Sequence, residues 1–243
     1  MYGWRARIGL LVVGSDVTCE SEMHKFAPPG VTFVTSRMTF LGKVTPETVE
    51  RLAEDVERAT ELLIPAKVNV IAFCCTSGSF IKGAGWDKKI IDNIERKYAG
   101  ISATTTSTAV VAALRHLKIK NVAVATPYVD DVNKHLKKFL TDEGFNVVNI
   151  KGLGILEDAE VNNLPPEIAY KLAKEVDTTN AEGIFISCTS VRTLDVIDLI
   201  ERDLSKPVVT SNQATLWHSL RKAKISDIIN GCGELLTQLK ADR

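Results

Sequence analysis

The sequence predicts an α/β protein of two pseudo-symmetric lobes, each a four-stranded parallel sheet flanked by helices, with an active site in the cleft between them. Three observations carry that prediction. Short apolar runs alternate with helical patterns along the 243 residues, the signature of parallel sheets with right-handed crossovers and ligands at the carboxyl ends of the strands. The stretch Phe73-Cys74-Cys75-Thr76-Ser77-Gly78-Ser79 has a near copy in Ile186-Ser187-Cys188-Thr189-Ser190-Val191-Arg192. Register repeats with it: Cys75 and Cys188 are 113 positions apart, Arg7 and Asn121 are 114 apart, and the segments beginning at Leu114 and Leu220 are 106 apart.

Residues 7–13 form a continuous apolar run that reads as a buried parallel strand, ended by Gly14-Ser15-Asp16. The polar, acidic stretch 16–22 leads to a short helix, and 31–37 is the second strand. Thr45-Pro46-Glu47 is a helix start, with Thr45 as N-cap and Pro46 at the first helical position. That helix is expected to run to about Leu63, its apolar stripe made by Val49, Leu52, Val56, Ala59 and Leu63. Residues 68–74 are the third strand, Gly83-Ala84-Gly85 precedes a helix over 86–98, and 101–104 is a short fourth strand.

The order then repeats. Strands are expected at 121–125, 146–150, 181–187 and 207–209, and helices at 129–143, 166–176 and 193–203. The Thr/Ser-rich stretch 104–108 and its counterpart 210–213 would carry the chain between lobes, giving a first lobe of 1–106 plus 213–243 and a second of 107–212. A last helix over about 232–240 is expected to pack back on the first lobe.

Composition bounds the function. Lys+Arg 30 against Asp+Glu 30 leaves no net charge, so there is no basic footprint for a nucleic acid partner. No apolar run approaches the ~20 residues of a membrane span. The first residues, Met1 to Arg5, lead almost directly into a strand without an apolar signal region, which predicts a cytoplasmic protein. Five cysteines without dense spacing argue for reduced thiols rather than a disulfide framework. None of the four histidines has a second ligand-type residue at metal spacing, so no metal site is expected. Gly83-Ala84-Gly85 and Gly152-Leu153-Gly154 are incomplete dinucleotide fingerprints, and no nucleotide site is expected either.

Chemistry concentrates at the two Cys-Thr-Ser copies. Each follows a strand and precedes a helical pattern, where unpaired amides and the helix dipole favour a thiolate and a docked carboxylate. Two such turns face to face would set Cys75 and Cys188 across one anion pocket. Buried small residues at tight turns are the bland alternative, but that does not explain why hydroxyl residues follow cysteine twice. Cys74 points to the other face of its strand and is read as packing; Cys19 and Cys232 have no partner in the pattern and are read as structural. Tyr128, after Thr126-Pro127, can offer its hydroxyl to a carboxylate or cover the lobe interface.

Arg7-Ile8-Gly9, Glu20-Ser21-Glu22, Cys75-Thr76-Ser77, Ala125-Thr126-Pro127-Tyr128, Glu160-Val161 and Cys188-Thr189-Ser190 together resemble the aspartate/glutamate racemase superfamily. Within it the sequence is most similar to the maleate cis-trans isomerase and arylmalonate decarboxylase branch. The resemblance implies a cofactor-independent enzyme with a small-carboxylate substrate and a tendency to form homodimers. The decarboxylase keeps only the second cysteine, so the presence of both Cys75 and Cys188 disfavours it; the resemblance to maleate isomerases implies that Cys75 adds to a double bond and Cys188 donates the proton. Thr76, Ser77, Thr189 and Ser190 would hold carboxylate oxygens and stabilise an enolate, and Tyr128 matches the substrate-binding tyrosine.

Two positions depart from the family pattern. Where maleate isomerases resemble one another in carrying asparagines, this sequence has Asp16 and Asp158. An ionised aspartate close to a dicarboxylate repels it by about 4 kcal/mol at an effective dielectric near 20. Either these aspartates are turned away or protonated, or the substrate is less anionic. Amino-acid or hydantoin racemisation, arylmalonate-type decarboxylation and a non-enzymatic small-molecule binding module are the competing expectations.

Overall fold

The structure is a computed structural model, and it describes residues 1–39, 45, 47–48 and 52–238. The first sheet contains β1 (Ala6–Val13), β2 (Val31–Met38), β3 (Val70–Cys74) and β4 (Ser102–Thr105), in the order β2-β1-β3-β4. The second contains β5 (Asn121–Thr126), β6 (Asn146–Gly152), β7 (Gly183–Ile186) and β8 (Val208–Thr210), in the order β6-β5-β7-β8. All pairings are parallel, and the two orders are the same. The duplication read from sequence is therefore a duplication of topology.

Helices α1 (Cys19–Lys25), α2 (Val56–Glu61), α3 (Thr76–Phe80), α4 (Trp86–Lys97) and α5 (Thr106–His116) follow the strands of the first sheet. Helices α6 (Asp130–Asp142), α7 (Asp158–Asn162), α8 (Pro166–Val176), α9 (Ile197–Leu204), α10 (Ser211–Lys222) and α11 (Glu234–Thr237) follow those of the second. Alternation along β1 and β3 divides the packing. Ile8, Leu10, Val12, Val70, Ala72 and Cys74 join a large core continuous with the second sheet, while Leu11, Val13, Ile71 and Phe73 pack outward against α2 and α4. Cys74 lies on the opposite face from Cys75, as the period of two requires.

Three expectations are corrected. The helix expected from Thr45 is interrupted: Leu52–Asp55 is a single 3-10 turn before α2, and Ile64–Ala66 is another after it, while Pro46 and Val49 lie outside the described residues. Residues 104–108 and 210–213 are not plain crossings but helix starts. Thr105 Oγ1 accepts from the Thr108 amide at 3.1 Å, and Thr210 with Gln213 makes a reciprocal capping box, each satisfying amides that the first turn leaves unpaired.

The third concerns the C-terminus. α11 packs against β8 and α10, and its leading amides, from Gly233 and Glu234, donate to Asp198 and Glu201 of α9. The helix expected to return to the first lobe is thus held at the edge of the second sheet; Lys240, its expected end, lies outside the described residues. It is α10 that returns, packing on β3, β4 and α5. Among the described residues no helix is long and apolar enough to cross a membrane.

Candidate active site

The strand ends place the two cysteines. Cys75 follows β3 and caps α3, its Sγ accepting from the Gly78 amide at 3.3 Å with Ser77 Oγ at 3.7 Å. Gly78 is a glycine for a reason: a Cβ there would lie 3.0 Å from Cys75 Sγ and 3.0 Å from Phe73 Cζ. Cys188 follows β7, but its turn differs from the first copy. Its φ is +99°, in the region L side chains rarely adopt, so the chain cannot enter a helix there. α9 begins only at Ile197, and the expectation that both Cys-Thr-Ser copies open a helix holds for the first alone.

One cavity lies between the turns. It is lined by Cys75, Thr76 and Ser77 from the first turn and by Cys188, Thr189 and Ser190 from the second. Tyr128 and Asp158 join them, with Val13 and Leu52 as the apolar wall. It holds about 20 Å³ of free space, room for about one water molecule. Eight of the nine residues singled out in the sequence meet here; Asp16 stands behind the lining.

Both aspartates are buried. Asp158 accepts from Ser15 Oγ at 2.5 Å, from Ser190 Oγ at 3.0 Å and from Asn162 Nδ2 at 3.4 Å, so every one of these partners is a donor. Asp16 Oδ1 accepts from the amides of Thr18 and Cys19 at 2.8 and 2.9 Å, while its Oδ2 is buried with no hydrogen-bond partner. Burial pushes the Asp16 carboxyl up to about 6 against the pull of those amides. The Cys75 thiol is pushed up to about 12, mainly by burial and further by Asp158 and Asp16, with the Gly78 amide opposing. Cys188 is raised well above its ordinary value by burial and then by Asp158. The turn was expected to favour a thiolate; at this buried position desolvation, with two nearby carboxylates, outweighs the Gly78 amide and the Ser77 hydroxyl.

Tyr128 is buried against Phe80, the ring centroids 6.3 Å apart, and its hydroxyl oxygen accepts from Ser187 Oγ at 3.3 Å. Burial raises its phenol well above the ordinary value, which keeps it a hydrogen-bond donor.

Sequence reasoning missed the residues that lock the turns together. Ser211 Oγ accepts from Thr76 Oγ1 at 2.9 Å and from the Cys188 amide at 3.0 Å. Thr18 Oγ1 donates to the Ser190 carbonyl at 3.1 Å, and Asn162 Nδ2 donates to the Ser15 carbonyl at 3.0 Å. A signal was available for Ser211 alone, a small polar residue directly after β8 as Cys75 follows β3; Thr18, before α1, and Asn162, at the end of α7, carried none. Among the described residues no cluster of His, Cys, Asp or Glu could hold a metal ion.

Two duplicated parallel sheets, with a small polar cavity between the turns at their strand ends, define the two-lobed α/β fold shared with maleate isomerases and arylmalonate decarboxylases. The family model described as arylmalonate decarboxylase matches residues 8–236, and the chain belongs to that family. It is 34% identical over 197 residues to the arylmalonate decarboxylase of Bordetella bronchiseptica, covering 80% of this chain and 81% of that one. A solved cysteine-to-alanine maleate isomerase from Pseudomonas putida S16, with maleate, superposes with a TM-score of 0.92 at 25% identity, covering 98% of this chain and 99% of that one. A cysteine-to-serine mutant of the Nocardia farcinica maleate cis-trans isomerase, carrying a covalently bound succinylcysteine intermediate, gives 0.91 at 25% identity, covering 96% and 98%.

Proposed function

We propose that the chain is a cis-trans isomerase of a small unsaturated carboxylate, working through Cys75 and Cys188. The observation that carries this reading is the pair of thiols at the ends of β3 and β7, lining one small cavity with four hydroxyl residues from the same two turns. The succinylcysteine held by the similar Nocardia farcinica enzyme supports a thioether intermediate.

Cys75 Sγ bonds to one alkene carbon as the π pair moves to the neighbouring carbon and its carboxylate. Cys188 gives that carbon a proton, and the Cys75 proton replaces the one Cys188 has lost. The former double bond is now single and rotates. Reversal of the two transfers breaks the C–S bond and releases the trans isomer. Ser77 and Tyr128 offer their hydroxyls, and the two turns their backbone amides, to the carboxylate oxygens and the developing enolate, with Thr76, Thr189 and Ser190 lining the site beside them. Five free, buried cysteines suit a reducing, cytoplasmic setting.

A second reading, a decarboxylase that needs only Cys188, is favoured by the 34% identity to the Bordetella bronchiseptica enzyme. Cys75 separates the two. Proton NMR of maleate in deuterated buffer should show fumarate with the wild type and none with Cys75→Ala. Decarboxylation of an arylmalonate that survives in Cys75→Ala, with no isomerisation in the wild type, would establish the lyase instead.

A further inference from the structure

Among the described residues the lining of the cavity includes no lysine, arginine or histidine, and its one acidic side chain is Asp158. A dicarboxylate entering here would meet no counter-ion among these residues and would bring one of its two ends toward the Asp158 carboxyl. Behind the lining, Asp16 adds a second acid whose Oδ2 is buried and unpartnered.

Asp158 is not turned away from the site. It lines the cavity while Ser15, Asn162 and Ser190 hold its two oxygens from behind and beside. As the acceptor from Ser15 and Ser190, with the Asn162 amide more distant, Asp158 does not fill the roughly four lone-pair sites of a carboxylate. An unfilled site facing the cavity asks for a donor from the ligand. A second carboxylate has no hydrogen to give; a carboxamide, of nearly the same shape, has two.

We infer that the site is built for a monoanionic substrate, a short cis-unsaturated acid whose other end is a carboxamide or similar N–H-bearing carbonyl, and that Asp158 is the residue that selects it. The single carboxylate is held by the hydroxyls of Ser77 and Tyr128 and the backbone amides of the two turns, and the amide N–H donates to Asp158. This deepens the isomerase reading and rests on it for the chemistry, but the binding preference stands on the cavity alone. A site shaped for a hydrogen-bond donor rejects an analogue that lacks it, because its buried acceptor is then left unpaired.

The test compares maleate with its half-amide, maleamate, in the purified full chain. Formation of the trans product, followed by proton NMR, gives kcat/KM for each. The half-amide is expected to exceed maleate by at least about tenfold, well inside what a close like-charge pair can impose. Asp158→Asn should reverse the order, since an asparagine can donate to the second carboxylate. Equal or greater kcat/KM for maleate in the wild type overturns the inference and leaves the isomerase reading in place. Binding is measured separately, by the shift in melting temperature of Cys75→Ala with each compound. If neither acid is isomerised but the half-amide alone stabilises that variant, the reaction is wrong and the ligand class is right; stabilisation by maleate alone, or by neither, overturns the ligand class too.

Discussion

Glu22 and Asn212 meet between the two sheets. Glu22 Oε2 accepts from Asn212 Nδ2 at 2.7 Å, and the same amide nitrogen donates to the Thr189 carbonyl at 2.8 Å. Glu22 Oε1 meanwhile accepts from the amides of Thr193 and Leu194 at 2.8 and 3.0 Å. A carboxylate on α1, next to the first sheet, therefore fixes both ends of the turn that carries Cys188. Three donors surround it, yet burial still pushes it up to about 7.

That position makes stability depend on pH through Glu22. A carboxyl whose folded value lies above its unfolded one contributes stability that is full below about 4.5 and is lost as pH rises through about 7. Glu22→Gln removes this loss, so the difference in unfolding free energy between pH 5 and pH 8 should shrink by about 3 kcal/mol. Urea denaturation at the two pH values measures it. The variant also sets a donor against Asn212, frees the Thr189 carbonyl and should lower kcat roughly tenfold, a loss of about 1.4 kcal/mol in the transition state. Unchanged pH dependence would show that Glu22 is not the buried acid the geometry makes it.

The thiols should react slowly in the empty protein. With Cys75 pushed up to about 12 by burial, alkylation by iodoacetamide at pH 8 is expected at least about tenfold below a free cysteine, because only the thiolate attacks. Peptide mapping after timed labelling distinguishes Cys75 and Cys188 from the other buried thiols. Labelling of Cys75 faster than the free amino acid would mean that the turn amides win over desolvation, as the sequence alone suggests.

What the sequence made legible and what it did not differ in kind. Strands such as 7–13 and 166–176 as a helix depend on local periodicity, and the duplication of Cys-Thr-Ser depends on simple repetition; both can be read without coordinates. The cavity residues were legible because strand ends in a parallel sheet converge. Burial was not. The rise at Cys75, opposite to the expectation, comes from its burial and from the positions of Asp16 and Asp158, which are set by contacts spanning 143 positions, as between Ser15 and Asp158. Nor does periodicity show that Cys188 takes a φ of +99° while its counterpart caps a helix. The helices after Thr105 and Thr210 were legible in principle from their caps, but hydroxyl-rich starts resemble loops.

Gly78→Ala tests the packing behind Cys75. The added Cβ would sit 3.0 Å from both Cys75 Sγ and Phe73 Cζ, too close for the buried Phe73 ring to ignore. The expected cost is about 1–3 kcal/mol, typical of overpacking, read from denaturant midpoints at constant slope. Displacement of the thiol should also reduce turnover more than it raises KM. A variant as stable and as active as the wild type would show that the turn relaxes freely and that the Gly78 amide does not position Sγ.

Ser211→Ala tests the link between the two turns. Ser211 Oγ takes one hydrogen bond from Thr76 Oγ1 and another from the Cys188 amide, so its loss leaves a buried amide without an acceptor. An unpaired buried N–H costs about 1–3 kcal/mol, and the positive φ of Cys188 leaves that residue few other conformations in which to find a partner. Thr76→Val removes the other half of the link but leaves the Cys188 amide satisfied, so it should cost less. If Ser211 couples the turns, the double variant will lose less than the sum of the single losses, in stability and in turnover alike, because the shared bond can be broken only once. Additive losses would mean that each turn is held by its own strand, and that the alignment of Cys75 with Cys188 owes nothing to the serine between them.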